Sequence, residues 1–287
     1  MSSNETQQNR KEPNVVYHYC SLDTFHKIIS NNKFRMSDVD MSNDYDERKE
    51  MIRAFASDEY AQTVKPHTLS ILKDLYINNI FNLVICFSGK RDALSQWRGY
   101  ADDGKGICIG FNNAILSNFN NPSIADFDLL NLRYCRVFYK NDEKERLIHG
   151  AFRKYKSWQC FEERKEQLLI KELGIAAMLC KNENFYEEQE WRLALCLNSE
   201  SEYEQIKYKI EQCTDIKLSS LKTDCYRNKI VLYIEIDFSN VKDSLISEII
   251  IGPKCGMFEA EIYRFLKLKG YKLELSDISK SQVTYRD

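Results

Sequence analysis

The chain has 287 residues, of which 43% are hydrophobic and 12% aromatic, and its 41 basic and 43 acidic side chains give a net charge of -2. This length and composition indicate a globular protein with a sizeable core and exclude a disordered chain. The near-neutral balance predicts no strong, unspecific attraction to a polyanion, and leaves room only for a local basic groove.

The sequence carries no signal for a membrane or for export. It has no run of about 18 apolar residues that would span a bilayer. Its first residues lack the apolar core of a signal peptide, and we predict a disordered tail over residues 1–14. The ten cysteines show no C-x-x-C spacing. Free thiols in a reducing cytoplasm are therefore expected, with neither disulfides nor a metal site.

The predicted elements begin with a strand and a helix. Val15–Tyr19 is β-branched at its start and predicts a strand. Ser21 is a suitable cap for a helix with apolar residues at helical spacing, and Asn31–Asn32 predicts the end of that helix. Lys33–Ser37 predicts the second strand, and a further helix is expected over 65–80. Phe81–Ser88 is continuously apolar, which predicts a strand that is buried on both faces.

Helices and strands are mixed in the rest of the chain. Ala93–Ala101 predicts a short helix or turn, and the proline-free stretch from Asp142 to about Cys180 predicts helices. The other predicted elements are strands at Ile107–Phe111, Leu130–Tyr139, Trp191–Leu197, Ile230–Phe238, Glu248–Ile251 and Tyr271–Leu275, and a helix at Phe258–Leu268. Because no regular βαβ rhythm appears, we predict one α+β domain over 15–287 with a helical insertion at about 141–181.

The first candidate site is the stretch V-V-Y-H-Y-C-S, which places His18 on an apolar strand just before a helix. Strand ends that lead into helices are common positions for ligand-binding groups. The alternative is a partly buried histidine that bonds a neighbouring carbonyl. Common catalytic and phosphate-binding motifs, such as G-x-x-x-x-G-K-[ST], G-x-G-x-x-G, H-E-x-x-H and G-x-S-x-G, are absent.

The second candidate is the polar segment that contains Trp97 and Tyr100, with an arginine between them. Aromatic rings beside an arginine suit a stacking platform for a base or a nicotinamide ring. The alternative is that both rings plug the edge of the core.

The third candidate is the acidic pair before a buried strand. Glu188 and Glu190 are two residues apart, so on an extended chain their side chains point to the same side, and Arg192 continues that side. Carboxylates there would bind a ribose hydroxyl or stabilise a cation. The alternative is a solvated charge cluster with a surface salt bridge.

In this order along the chain, these stretches resemble a bacterial family known as domain-of-unknown-function family 2971. The motifs that carry the resemblance are Tyr17–Ser21, Asn43–Glu47, Cys86–Ser88, Trp97–Gly106, Glu188–Arg192 and Ile249–Gly252. The similarity spans residues 15 to about 275. Cys86 stands where this family usually has serine, and Tyr45 stands where it usually has proline.

More distantly, the opening H-Y-C-S and the helix after it are similar to the first motif of ADP-ribosyltransferases. This resemblance implies NAD as a substrate, with His18 on the NAD ribose. It implies that Glu190, with Glu188 beside it, stabilises the oxocarbenium-like state as nicotinamide leaves. Tyr19 stands where that family has glycine, and would crowd the nicotinamide. The residues implied to contact NAD are His18, Tyr19, Ser21, Tyr45, Ser88, Trp97 and Tyr100, with Ser88 or Tyr45 as the second motif.

The resemblance implies a mixed or antiparallel central sheet and an enzyme that modifies RNA, DNA or protein. Such bacterial enzymes often act as toxins or in phage defence, so the resemblance implies a cytoplasmic effector that an antitoxin or regulatory partner could restrain. One alternative is a non-catalytic binding or regulatory module whose Trp97–Tyr100 segment recognises a nucleobase or peptide. Another is a metal-dependent nuclease that uses Asp44, Asp46, Glu188 and Glu190.

Overall fold

The structure is a computed structural model that describes residues 12–39, 81–120, 132–157, 159, 161–197, 199–226 and 228–285. The strands within these ranges are β1 (Val15–Cys20), β2 (Lys33–Asp38), β3 (Phe81–Ser88), β4 (Ile107–Asn112), β5 (Leu132–Arg136), β6 (Glu190–Leu197), β7 (Lys217–Leu218), β8 (Lys222–Tyr226), β9 (Lys229–Asp237), β10 (Ile246–Ile251) and β11 (Ile278–Lys280). The helices are α1 (Leu22–Asn31), α2 (Leu94–Tyr100), α3 (Asn113–Ser117), α4 (Asn141–Ser157), α5 (Glu162–Met178), α6 (Glu200–Cys213), α7 (Lys242–Leu245) and α8 (Glu259–Leu268). Short 3₁₀ helices lie at Asn118–Asn120, Glu183–Glu188 and Leu275–Asp277.

The described strands form one sheet in the order β11-β10-β4-β1-β3-β2-β9-β7, with β6 and β5 continuing from β3 and β8 pairing with β9. The pair β10–β11 is parallel, and the other strand pairs of this sheet are antiparallel. The prediction of an α+β fold with a mixed or antiparallel central sheet is confirmed, since the sheet is mixed and mostly antiparallel.

The sheet forks at β3. One edge of β3 pairs along its whole length with β6. The other edge is shared, because β2 pairs with Leu83 and Val84 while β1 pairs only with Ser88. β1 then continues alongside β4, and β2 continues alongside β9. No described strand therefore pairs with this edge of β3 between Val84 and Ser88.

The two faces of the sheet carry different cores. On one face, alternate residues of β3 and β6, such as Phe87 and Leu193, pack with α1, α3, α6 and α8 in the largest apolar cluster. On the other face, Trp97 of α2 packs on β1 and β4, and Ile175 of α5 packs on β3 and β6. Helix α4 packs on α5. The second face thus has one helix on each branch, with the fork between them.

The beginning of the described fold follows its local sequence signals. Helix α1 begins after Ser21, whose Oγ accepts a hydrogen bond from the Thr24 N–H at 3.1 Å. It ends at Asn32, which adopts a left-handed conformation with φ 52°. Both ends were predicted. Within the predicted tail, the carbonyls of Pro13 and Asn14 accept hydrogen bonds from Asn113.

The strand predicted at Tyr271–Leu275 is wrong. Tyr271 and Leu273 are buried and alternate as in a strand, but the local backbone N–H groups bond elsewhere. The Tyr271 N–H donates to a carbonyl of α8, and the Lys272 N–H donates to the Asp243 carboxylate. The last strand is β11, which begins at Ile278.

Several predictions fall wholly or partly outside the described residues: the helix at 65–80, the Asn43–Glu47 cluster with Tyr45, Asp44 and Asp46, residues 1–11 of the tail, and residues 130–131 of the strand predicted at Leu130–Tyr139. Among the helices that the structure does describe, none is long and apolar enough to cross a membrane.

Candidate functional site

A cavity of about 320 Å³ lies at the fork of the sheet. Strands β1, β3 and β6 line it, together with the end of β2, helix α2, and the segment that follows α5. Six of the nine predicted site residues line this cavity: His18, Tyr19, Ser88, Tyr100, Glu188 and Glu190. Residues from distant parts of the sequence meet here because β1 and β6 both pair with β3.

His18 is placed in the middle of β1, opposite Ile109 of β4. Its Nδ1 lies 3.0 Å from the carbonyl oxygen of Cys86, in the part of the β3 edge that no described strand covers. Since a carbonyl only accepts, Nδ1 carries the proton, and Nε2 keeps a lone pair. Burial lowers the pKa of His18 more than the Cys86 bond raises it, so the imidazole is neutral at pH 7. His18 therefore both bonds a carbonyl and lines the cavity.

The two acidic residues are brought together by a turn, so the expected extended geometry is wrong. Glu188 ends a 3₁₀ helix, Gln189 adopts a left-handed conformation with φ 47°, and Glu190 begins β6. The turn is held by Ser88, whose Oγ donates to the Glu188 carbonyl at 2.7 Å, and by the Gly89 N–H, which donates to the Gln189 carbonyl at 2.8 Å. Ser88 thus shapes the site through the backbone.

A buried network of four charges forms one wall of the cavity. Lys181 Nζ lies 2.6 Å from Glu188 Oε2 and 3.1 Å from Glu190 Oε2. Arg192 donates two hydrogen bonds to Glu190, from Nε at 2.8 Å and from Nη2 at 2.9 Å. All four side chains are buried, so the alternative of a solvated surface salt bridge is wrong. Two cations balance two anions, which makes this burial tolerable.

The network holds Glu190 as an anion. Burial alone would raise the pKa of Glu190, but the charges of Arg192 and Lys181 outweigh that effect and hold its pKa at about 2. A hydrogen bond from the Cys86 side chain acts in the same direction. Arg192 is fixed in turn by donating from Nη1 to the Met178 carbonyl at 2.6 Å.

Two tyrosines line the cavity in different ways. Tyr100 donates its phenol proton to Glu188 Oε1 at 3.1 Å and remains 37% exposed. Burial raises the pKa of Tyr100, so its hydroxyl is protonated and available as a donor. The Tyr19 hydroxyl donates to the Lys90 carbonyl and accepts from the Ala93 N–H, so it fixes the loop that leads into α2.

Two of the other three predicted residues do not line the cavity. Trp97 is 0% exposed, and its Nε1 donates to Asp92 Oδ1 at 2.6 Å, so its ring plugs the core and presents no face to a ligand. The Ser21 hydroxyl caps α1. Tyr45 lies outside the described residues.

The sequence interpretation missed Lys181, which touches both carboxylates. A signal was present: this lysine follows the apolar run Met178–Cys180, where a charge is expensive to bury without partners. Asp38, at the end of β2, also lines the cavity and was not predicted.

Residues 96–193 match the model of a family described as "Protein of unknown function (DUF2971)". This range is similar to that family. It covers about a third of the chain and includes Tyr100 and all four members of the charge network. A search of curated proteins and a search of solved structures found no match. The similarity to ADP-ribosyltransferases stays a prediction.

Proposed function

We propose that the chain is an ADP-ribosyltransferase that cleaves NAD and modifies a macromolecule, with the cavity at the fork as its active site. The observation that carries this proposal is the convergence of a neutral imidazole, a phenol and two carboxylates on one cavity. A volume of about 320 Å³ lies at the small end of ligand sites. It suits the nicotinamide riboside end of NAD, with the rest of the dinucleotide outside.

The chemistry of this reaction fits the residues. Breaking the bond between ribose C1′ and nicotinamide produces a cationic sugar, which an oriented anion in a desolvated site stabilises. Glu188 and Glu190 supply carboxylates whose positions are fixed by Lys181 and Arg192. His18 offers Nε2 to a ribose hydroxyl.

The charge balance supports this orientation of NAD. The two cationic side chains that line the cavity, Lys181 and Arg192, are already paired with carboxylates. A pyrophosphate inside the cavity would therefore meet no uncompensated positive charge. The positively charged nicotinamide riboside end would instead lie beside Glu188, which is the more exposed of the two carboxylates.

The proposal extends to the setting of the reaction. The acceptor is RNA, DNA or protein, and the enzyme acts in the cytoplasm as a toxin or phage-defence effector that an antitoxin or regulatory partner restrains. The nine cysteines within the described residues are free thiols, which suits a reducing compartment.

Nicotinamide release from NAD tests this function. The wild type would be compared with the double variant Glu188→Gln/Glu190→Gln, with and without total RNA, DNA and cell lysate. Glu187→Gln is the matched control, because Glu187 is exposed on the same 3₁₀ helix and does not line the cavity. We expect release by the wild type and the control, and none by the double variant. No release by the wild type with any acceptor would refute the proposal and favour the binding module.

A further inference from the structure

The two carboxylates of the cavity differ in what their oxygens contact. Both Glu190 oxygens accept from Arg192, and Oε2 also accepts from Lys181. The Cys86 side chain contributes a further hydrogen bond to Glu190. A carboxylate has about four acceptor positions. These contacts fill the positions of Glu190, which leaves no oxygen to approach a reacting sugar.

Glu188 is more open. Its Oε2 accepts from Lys181 at 2.6 Å, and its Oε1 accepts from the phenol of Tyr100 at 3.1 Å. The Glu188 side chain is 12% exposed, against 7% for that of Glu190. Tyr100 is itself partly exposed, so Oε1 lies on the accessible side of the network.

These different contacts indicate different roles for Glu188 and Glu190. We propose that Glu188 is the catalytic carboxylate that faces ribose C1′, while Glu190 anchors Arg192 and Lys181. This assignment rests on the proposed function. It reverses the roles that the similarity to ADP-ribosyltransferases implies, in which the second glutamate of the pair acts on the sugar.

The step balances without an additional reactant. The C1′–N bond of NAD breaks, and nicotinamide leaves with its electron pair. The negative charge of Glu188 stabilises the cationic ribose. The nucleophilic atom of the acceptor then bonds to C1′, and its proton passes to Glu188 and from there to solvent. Lys181 holds Oε2 throughout, which keeps Oε1 aimed at the sugar.

The kinetics of two variants, Glu188→Gln and Glu190→Gln, distinguish the catalytic role from the anchoring role. Glu188→Gln keeps the size of the side chain, and it leaves Lys181 paired with Glu190. We expect it to fold like the wild type and to lose about 10²–10⁴-fold in kcat, with KM for NAD little changed. Glu190→Gln should lower the unfolding temperature. Assayed well below that temperature, it should lose less in kcat than Glu188→Gln does, since Glu188 remains, and a larger loss in Glu190→Gln than in Glu188→Gln would overturn the assignment. Glu187→Gln is again the control.

A labelling experiment supplies a readout that is independent of activity. The folded wild type is treated with a carbodiimide and an amine, and the modified carboxyl groups are located by mass spectrometry. We expect modification of Glu188 to be faster than that of Glu190, and to be slowed by NAD.

The outcomes distinguish the assignment from the function. Wild-type kcat in Glu188→Gln, or faster labelling of Glu190 than of Glu188, overturns the assignment. A wild type that releases no nicotinamide refutes the NAD-cleaving function. Labelling then decides on its own which carboxylate faces the cavity.

Discussion

The substitution Arg192→Met tests whether the buried charge network stabilises the fold. Methionine fills much of the same space, so the main change is the loss of the guanidinium. Glu190 would keep only Lys181 as a cationic partner, and the network would carry a net negative charge inside the protein. The Met178 carbonyl would also lose its donor.

The loss of unfolding free energy caused by Arg192→Met can be calculated in two ways. Breaking a buried ion pair on one side costs about 3–5 kcal/mol. The pKa of Glu190, about 2 against an ordinary 4.5, corresponds to about 3–4 kcal/mol at neutral pH. The two figures agree. We therefore expect Arg192→Met to lower the free energy of unfolding by about 3–5 kcal/mol.

Urea unfolding of four proteins provides the assay: the wild type, Arg192→Met, Glu190→Gln and the double variant. The double variant Arg192→Met/Glu190→Gln removes one charge of each sign. Its loss of unfolding free energy should therefore be about 1–3 kcal/mol smaller than the sum of the losses in the two single variants. A loss under about 1 kcal/mol for Arg192→Met, or additive costs, would refute the reasoning.

The same network predicts a dependence of stability on pH. The folded-state pKa of Glu190 is depressed, so its contribution is present above pH 4.5 and is lost as the pH falls towards 2. The loss over this range should be smaller in Arg192→Met than in the wild type, because the depression of the pKa depends mainly on Arg192. Equal slopes in the two proteins would contradict this explanation.

Three further predictions concern individual residues of the described chain. Ser21→Ala should lower the free energy of unfolding by about 1 kcal/mol, because helix α1 loses its N-cap, and it should leave KM for NAD unchanged. A raised KM would instead indicate that Ser21 contacts the ligand. Gly106→Ala should lower the free energy of unfolding by about 1–3 kcal/mol, because the added Cβ would lie 2.1 Å from the Cys20 carbonyl oxygen. Gly150→Ala should raise the free energy of unfolding by about 0.5–1 kcal/mol, because the space beside Gly150 is open. Similar unfolding midpoints for the two variants would contradict this. Because burial lowers the pKa of His18, nicotinamide release should lose no activity through His18 protonation above pH 6.5; a titration of His18 by NMR above pH 6.5 would contradict this.

Local signals predicted the elements whose hydrogen bonds are local. Ser21 and Asn32 mark the ends of α1 because cap chemistry acts within one turn. The sequence also carries a local signal for α6, although this helix was not among the predicted elements. Tyr203, Ile206 and Ile210 recur at helical spacing after the Ser199 cap, and all three are buried.

Long-range geometry could not be predicted in the same way. The alternation of Tyr271 and Leu273 indicated a strand, but whether a backbone joins a sheet depends on which acceptors its neighbours offer. The left-handed turn at Gln189 was equally hidden, since glutamine has no special preference for that conformation. It is stabilised by contacts with Ser88 and Gly89, about a hundred residues earlier in the chain.

The candidate site was predicted in its residue types better than in its geometry. His18, Glu188 and Glu190 were singled out, and all line one cavity. Trp97 was singled out for its ring, but nothing local shows that α2 turns this ring into the core. Lys181 was missed because a buried lysine is explained only by the partners that the fold brings to it.

The central claim is that NAD occupies the cavity at the fork with its ribose against Glu188. A crystal structure of Glu188→Gln soaked with NAD tests this most directly, since the variant should bind the dinucleotide without cleaving it. We predict that the nicotinamide riboside lies in the cavity, with C1′ beside residue 188 and a ribose hydroxyl near His18 Nε2. NAD bound elsewhere on the protein, or an empty cavity at a saturating NAD concentration, would contradict the account.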